Sequence, residues 1–281
     1  MTRCNVCFRK CEIEEGSRGF CGIRTCRDGE ICPVNYGKMT ALALDPIEKK
    51  PLRRFCPGSM ILSVGSFGCN LRCPFCQNHE ISWSQEAMNM EDRAQYISPR
   101  QLAGLAQDYV CKGNIGVAFT YNEPLVGYEY VLDTARLVHE MGMKNVLVTN
   151  GTADLAVLEK IAPYIDAMNI DLKGFTDRYY KDVLKGDRKM VMDFAAAAME
   201  FCHVELTTLI VPGENDTDEE MREMCEWIPE DVPLHISRFF PVFHMTDRPA
   251  TPVKTIYHLK DIAEEKLKYV YTGNHHHCQI T

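Results

Sequence analysis

Between Met60 and about Leu267 the chain repeats one pattern six times: a short apolar run, a polar or glycine-bearing turn, and a longer amphipathic segment. The runs are Met60–Val64, Ile115–Thr120, Asn145–Thr149, Ala167–Ile170, His203–Val211 and Leu234–Phe239. The amphipathic segments are Pro99–Val110, Leu125–Met141, Ala153–Ala162, Asp177–Phe201 (read as two helices), Asp218–Ile228 and about Thr255–Leu267. Short continuous apolar strands alternating with helices indicate βαβ units, whose parallel sheet is buried on both faces. Their crossovers are right-handed. Six units cannot close a barrel that needs eight strands, so the expected fold is α/β: a partial (β/α)6 TIM-like barrel over residues 59–281.

In such a barrel the reactive groups collect at the C-terminal ends of the strands. The first run is followed by Cys69-Asn70-Leu71-Arg72-Cys73-Pro74-Phe75-Cys76-Gln77-Asn78 and the second by Tyr121-Asn122-Glu123-Pro124. Thr149-Asn150-Gly151 ends the third, Asp171-Leu172-Lys173-Gly174 the fourth, Pro212-Gly213-Glu214-Asn215-Asp216 the fifth and Arg238-Phe239-Phe240-Pro241 the sixth. Asn-Gly and Pro-Gly form turns wherever they occur. Six such ends in register with a three-cysteine loop make one polar face.

Cys69, Cys73 and Cys76 stand with three and then two residues between them. Zinc sites usually use paired Cys-x2-Cys spacings, which this loop fits poorly. Three thiolates on one loop can hold three irons of a cubane [4Fe–4S] cluster, whose full protein cage would use four. One iron then stays open, as in a catalytic rather than a structural metal site.

At these residues the sequence resembles the radical S-adenosylmethionine (SAM) enzymes. More narrowly it resembles the pyruvate formate-lyase activating enzyme-like branch, including the type found in the AmmeMemoRadiSam system. The resemblance covers nearly the whole chain and implies the same partial barrel. It also implies that the open iron chelates the amino and carboxylate groups of SAM. One electron then breaks the S–C5′ bond, and a 5′-deoxyadenosyl radical takes hydrogen from a substrate. An electron donor such as flavodoxin or ferredoxin is implied as partner. Glu123 and Asn122 suit the SAM ammonium, by charge and by amide acceptor. They occupy the place of the family's Gly-Gly-Glu-type motif, from which Tyr121-Asn122-Glu123-Pro124 departs. Asp171 suits the ribose hydroxyls and Lys173 the carboxylate, matching the family's Asp-Leu-Lys motif. Phe75 and Gln77 flank Cys76 as the family's adenine-side residues do. Asn150 is a further cofactor-binding candidate.

Fourteen cysteines are many for 281 residues, and seven of them precede residue 57. Met1-Thr2-Arg3-Cys4 lacks the apolar segment of a signal peptide, so a cytoplasmic protein is expected. In that setting the cysteines point to metal or redox chemistry before disulfides. Residues 1–58 read as a small Cys-rich N-terminal unit. Its Cys4, Cys7, Cys11 and Cys21 form a Cys-x2-Cys-x3-Cys-x9-Cys pattern that suits a four-thiolate metal site. Such a metal would supply folding energy that so small a unit lacks. The occupant is zinc, the plainer choice, or a second iron–sulfur cluster; the spacing does not decide. The pattern also resembles members of the branch named above. Cys26, Cys32 and Cys56 read as small buried apolar residues. Asp45-Pro46-Ile47-Glu48-Lys49-Lys50-Pro51-Leu52 resembles a motif of the same family; it reads as a proline-bounded turn of mixed charge, a linker with solvated charges, with docking against the cluster domain as the other reading.

A net charge of −8 argues against a nucleic-acid surface. No apolar run reaches the roughly 18 residues of a membrane span. His235, Arg238 and His244 near the last strand are substrate-contact candidates, with a core histidine or a surface arginine equally natural. The end of the chain, Tyr271-Thr272-Gly273-Asn274, resembles the family's closing strand, and His275-His276-His277-Cys278 reads as structural. Three functions compete. One is a radical SAM activase acting on a glycine of a partner enzyme. Another is a radical SAM enzyme modifying a small molecule or other macromolecule. The third is a non-enzymatic iron–sulfur or zinc binding module. The open side of a six-unit barrel favours a polypeptide substrate.

Overall fold

A computed structural model describes residues 1–274. Eight strands form one sheet in sequential order: β1 (Ala41–Pro46), β2 (Met60–Gly65), β3 (Asn114–Phe119), β4 (Lys144–Thr149), β5 (Ala167–Asp171), β6 (His203–Ile210), β7 (Leu234–Arg238) and β8 (Val270–Gly273). β1 runs antiparallel to β2, with Ala41 opposite Gly65 and Pro46 opposite Met60. Every later pair is parallel. The six predicted strands are β2 to β7. The sheet extends beyond them at both edges, with β8 parallel to β7 and β1 antiparallel to β2. Seven parallel strands wound in order give the partial barrel, and its polar C-terminal ends lie on one side. Expectations for His275–Cys278 fall outside the described residues.

The connecting helices are α1 (Pro99–Asp108), α2 (Tyr128–Glu140), α3 (Leu155–Ile161), α4 (Arg188–Met199), α5 (Asp218–Trp227) and α6 (Val253–Glu264). Their starts are written in the sequence. Ser98 and Gln101 form a reciprocal capping box, while Asp154, Asp187 and Thr217 each accept a first-turn N–H. On α2 the buried Tyr130, Val131, Thr134, Ala135 and Val138 recur at helical spacing and make the stripe that packs on the sheet. The stretch 177–201 divides as predicted. A π-helical turn, Tyr179–Leu184, ends at Lys185 in the left-handed region (φ 54°), and Asp187 then caps α4.

After β1 the chain enters the curve of the sheet instead of crossing the surface. Ile47 and Leu52, fully buried, pack with Ile61, Ala118, Val146 and Ala167. Pro51 O accepts from Asn169 Nδ2 at 2.9 Å, and the N–H groups of Arg53 and Arg54 donate to Glu205 at 3.0 and 2.7 Å. Phe55 stacks on His203, and the Arg54 guanidinium lies over the ring of Tyr269, just before β8. The segment therefore spans from the β1 edge to the β6–β8 side. This corrects the linker expectation. Lys50 is only 3% exposed; its ammonium meets Asp45 at 2.9 Å, and Tyr121 donates to the same carboxylate at 3.0 Å. Mutual pairing lets the two charges leave water, which neither could do alone.

The division expected after residue 58 falls between β1 and β2, strands of one hairpin. Up to Met39 the chain forms short two-stranded pieces, Thr2–Arg3 with Glu12–Ile13 and Arg24–Arg27 with Glu30–Pro33 among them. They dock on the barrel rim. Arg24, 2% exposed, makes a bidentate pair with Glu129 at 2.6 and 2.8 Å, and Asp154 N–H donates to Val6 O at 2.8 Å. Cys26 is buried and Cys32 half-buried. Cys56 departs from the expected burial: it is exposed at a turn with φ 44°, where its carbonyl accepts from Ser59.

Candidate active site

β2 leads into a loop that crosses the C-terminal end of the sheet. Gly68 sits at φ 93°, and a Cβ there would fall 2.0 Å from Ile23 Cγ1, so only glycine fits. Main-chain bonds fix the loop: Gly68 N–H to Ile81 O at 2.8 Å, Arg72 N–H to Leu184 O at 2.9 Å and Cys76 N–H to Cys73 O at 3.2 Å. The side chain of Asn122 holds its start. It accepts from Ser66 N–H at 3.0 Å and donates to Phe67 O and Gly68 O, each at 3.1 Å. Asn78 donates to Tyr121 O and Trp83 Nε1 to Cys73 O, tying the loop to β3 and to its own C-terminal continuation. Cys73 is buried, with Cys69 and Cys76 half-buried. Burial pushes all three thiols up, that of Cys73 to about 12.

Glu123 follows β3 and is 3% exposed. Its Oε1 accepts from Thr149 Oγ1 at 2.8 Å and Leu125 N–H at 3.0 Å, and its Oε2 from Asn150 N–H at 2.7 Å. Burial nevertheless raises its carboxyl to about 7, outweighing the donors. The Asn150 amide donates to Asn70 Oδ1 at 3.0 Å and points to Cys69 Sγ at 3.7 Å. At the end of β5, Lys173 Nζ meets Asp171 Oδ2 at 2.8 Å. Burial works against the lysine's charge, but Asp171 and Cys73 outweigh it and raise its pKa. Phe75 is buried, edge-on to Phe239 at 6.2 Å.

These groups face one cavity of about 1060 Å³, including its open mouth. All ten residues singled out for cluster and cofactor line it: Cys69, Cys73, Cys76, Phe75, Gln77, Asn122, Glu123, Asn150, Asp171 and Lys173. Residues 63–228 match the Radical SAM superfamily. The chain belongs to the radical SAM superfamily. It is 40% identical over 280 residues to an uncharacterized protein of Methanocaldococcus jannaschii, covering 97% of this chain and 81% of that one. It is 26% identical over 181 residues to the GTP 3′,8-cyclase of Limosilactobacillus fermentum, covering 62% of this chain and 52% of the cyclase. It is 27% identical over 162 residues to the pyruvate formate-lyase-activating enzyme of Clostridium pasteurianum, covering 57% of this chain and 66% of that enzyme. Among solved structures, Streptococcus suis SuiB bound to S-adenosylmethionine shares the fold with a TM-score of 0.58 at 14% identity, covering 76% of this chain and 52% of SuiB. The chain thus spans about half the length of the cyclase and of SuiB.

As a radical SAM protein the chain uses a [4Fe–4S] cluster and SAM, and its residues fit both. Burial makes the three thiols poor acids despite the Lys173 ammonium near Cys73 and Cys76; iron in place of their protons removes that penalty. N–H donors already face the sulfurs, with Leu71 N–H 3.4 Å from Cys69 Sγ and the Asn150 amide beyond it. Such bonds tune cluster ligands. No helix among the described residues is long and apolar enough to cross a membrane.

The cavity also has a floor of residues to which sequence reading gave no role there: Pro51, Thr120, Thr207, Leu209 and Ser237, with Tyr121 beside them. Thr207 and Leu209, two apart on β6, share the inward face, as strand alternation requires. That alternation was the available signal. His235, Arg238 and His244 are not among the lining residues. His235 is a paired core histidine, 2.6 Å from Glu205. Arg238 donates to Thr251 O, and the N–H of His244 donates to Pro74 O on the outside of the loop.

Proposed function

We propose that this protein cleaves SAM reductively and uses the resulting radical to take hydrogen from a substrate, as in the pyruvate formate-lyase activating enzyme-like, AmmeMemoRadiSam-type branch. The cluster supplies the electron that breaks the S–C5′ bond. Cys69, Cys73 and Cys76 hold it. Glu123 takes the SAM ammonium, Lys173 its carboxylate and Asp171 the ribose hydroxyls, while Phe75 and Gln77 bound the adenine side. Asn122 and Asn150 keep the loop and Glu123 in register through the bonds described above. The carrying observation is the convergence of three thiols and two acidic groups of different surroundings in one cavity at the strand ends.

The leading substrate is a glycyl position of a partner protein. The similarity to the Clostridium pasteurianum enzyme supports this reading, as does a sheet whose edge strands, β1 and β8, do not pair with each other. The neutral hydroxyls of Thr207 and Ser237 on the floor favour a second reading, a small polar substrate. A flavodoxin or ferredoxin is the reductant we expect. Freezing the reduced enzyme with SAM and a candidate glycyl-radical partner should give a protein radical signal in electron paramagnetic resonance (EPR). Turnover of a small metabolite without any partner protein would replace the first reading with the second.

A further inference from the structure

The backbone of Lys173 is gripped on both sides. Its N–H donates to the Tyr180 hydroxyl at 3.0 Å, and its carbonyl accepts from Asn215 Nδ2 at 2.8 Å. Asn215, 3% exposed, also donates to Leu209 O at 2.9 Å and accepts Val211 N–H at 2.7 Å. Further along the same turn, Phe175 N–H donates to Glu220 at 2.6 Å and Phe175 O accepts from Arg188 at 2.7 Å. Both peptide groups that flank the Lys173 Cα are therefore fixed by side chains. A lysine ammonium rides on a flexible four-carbon stem, so its place depends on how firmly the backbone beneath it is held.

Tyr180 belongs to the π-helical turn Tyr179–Leu184, and that turn also supports the cluster loop. Leu184 O accepts Arg72 N–H at 2.9 Å, one residue before Cys73. Tyr180 O takes the N–H groups of Lys185 and, at 2.7 Å, of Gly186. A Cβ on Gly186 would fall 2.8 Å from Leu71 Cδ2 and 3.2 Å from Tyr180 Cδ1, so turn and loop meet there in close contact. One short element thus touches both the loop of Cys69, Cys73 and Cys76 and the backbone of Lys173. Helical turns of this type are rare and are frequent at functional sites. Tyr179 and Tyr180 are both buried. They differ in their hydroxyls: that of Tyr180 meets Lys173, whereas that of Tyr179 has no hydrogen-bond partner among the described residues.

We infer that Tyr180 is a positioning residue: through the N–H of Lys173 it sets the Lys173 ammonium in register with the cluster loop that the same turn supports. The inference rests on the role proposed above for Lys173 toward the SAM carboxylate. Without the hydroxyl a buried N–H loses its acceptor, and Lys173 shifts from the place where it meets the ligand. The test is the SAM affinity of the cluster-loaded full chain, measured by calorimetry. Tyr180→Phe, which keeps the ring, should weaken SAM binding about five- to tenfold with the iron content unchanged. Tyr179→Phe makes the same change in the same turn and should leave the affinity as it was, since no bond is lost. In the Lys173→Ala background Tyr180→Phe should have no further effect, because its action passes through that lysine. Equal losses from the two phenylalanine variants, or a Tyr180→Phe loss that persists beside Lys173→Ala, would show a general structural role of the turn and overturn the inference. Lost iron or unchanged SAM affinity in Tyr180→Phe would overturn it as well. Unchanged affinity in Lys173→Ala alone would remove the proposed role of Lys173 and the inference with it, so the two readings fail by different results.

Discussion

Glu123 accepts the backbone N–H of Asn150 at 2.7 Å, so the ends of β3 and β4 are locked together by a buried carboxylate. The same glutamate takes the Thr149 hydroxyl and Leu125 N–H, yet burial leaves its carboxyl near 7. An acid in that position changes charge within the working range, and a cationic ligand would select its ionised form.

SAM affinity should therefore depend on pH. Above about pH 7 Glu123 is ionised and affinity levels off; below it, affinity weakens by up to about tenfold per pH unit as the carboxyl protonates. Glu123→Gln should bind SAM more weakly and lose this slope. The SAM-free protein should show the opposite trend in stability. A folded-state value raised from 4.5 stabilises the fold fully below 4.5, and this contribution is lost as pH rises through 7. Calorimetric SAM titrations between pH 5.5 and 8.5 check the first trend; a flat wild-type profile would exclude Glu123 as the ammonium's partner.

Asp171 and Lys173, 2.8 Å apart, should act as a unit. Asp171→Ala and Lys173→Ala should each weaken SAM binding by about 1–3 kcal/mol, with the iron content unchanged. The double variant should lose less than the sum, because each single change also strands the other charge. Unchanged affinity in both single variants would refute their roles.

Much of this was legible in the sequence, and the failures have a common cause. The apolar runs mark β2 to β7 because a strand buried on both faces must be apolar along its length. The polar strand ends mark the cavity because the barrel brings them to one side. Segment 45–55 was not legible. Its run of charges looks hydrated, and nothing local indicates that Lys50 would be buried against Asp45 with Tyr121 donating across 76 residues of sequence. Thr207 and Ser237 were passed over because single hydroxyls within apolar strands carry no motif.

That buried segment gives a stability prediction. Lys50→Ala leaves Asp45 without its main partner and should cost about 3–5 kcal/mol, read from the urea midpoint. Burial opposes the ionisation of Asp45, but Lys50, Tyr121 and Lys49 hold its pKa down at about 2. Its contribution is present above 3.8 and lost as pH falls through about 2, and Lys50→Ala should remove much of that acid-side dependence. A midpoint shift within error would show that the pair is neutral to the fold.

The most direct test of the function is 5′-deoxyadenosine formation. The wild-type chain, reconstituted without oxygen and reduced in the presence of SAM, should release 5′-deoxyadenosine. Cys69→Ala, Cys73→Ala and Cys76→Ala should each release none and lose the iron of that loop. A wild-type protein with the Cys69/Cys73/Cys76 cluster fully loaded and reduced, yet yielding no 5′-deoxyadenosine, would contradict the account.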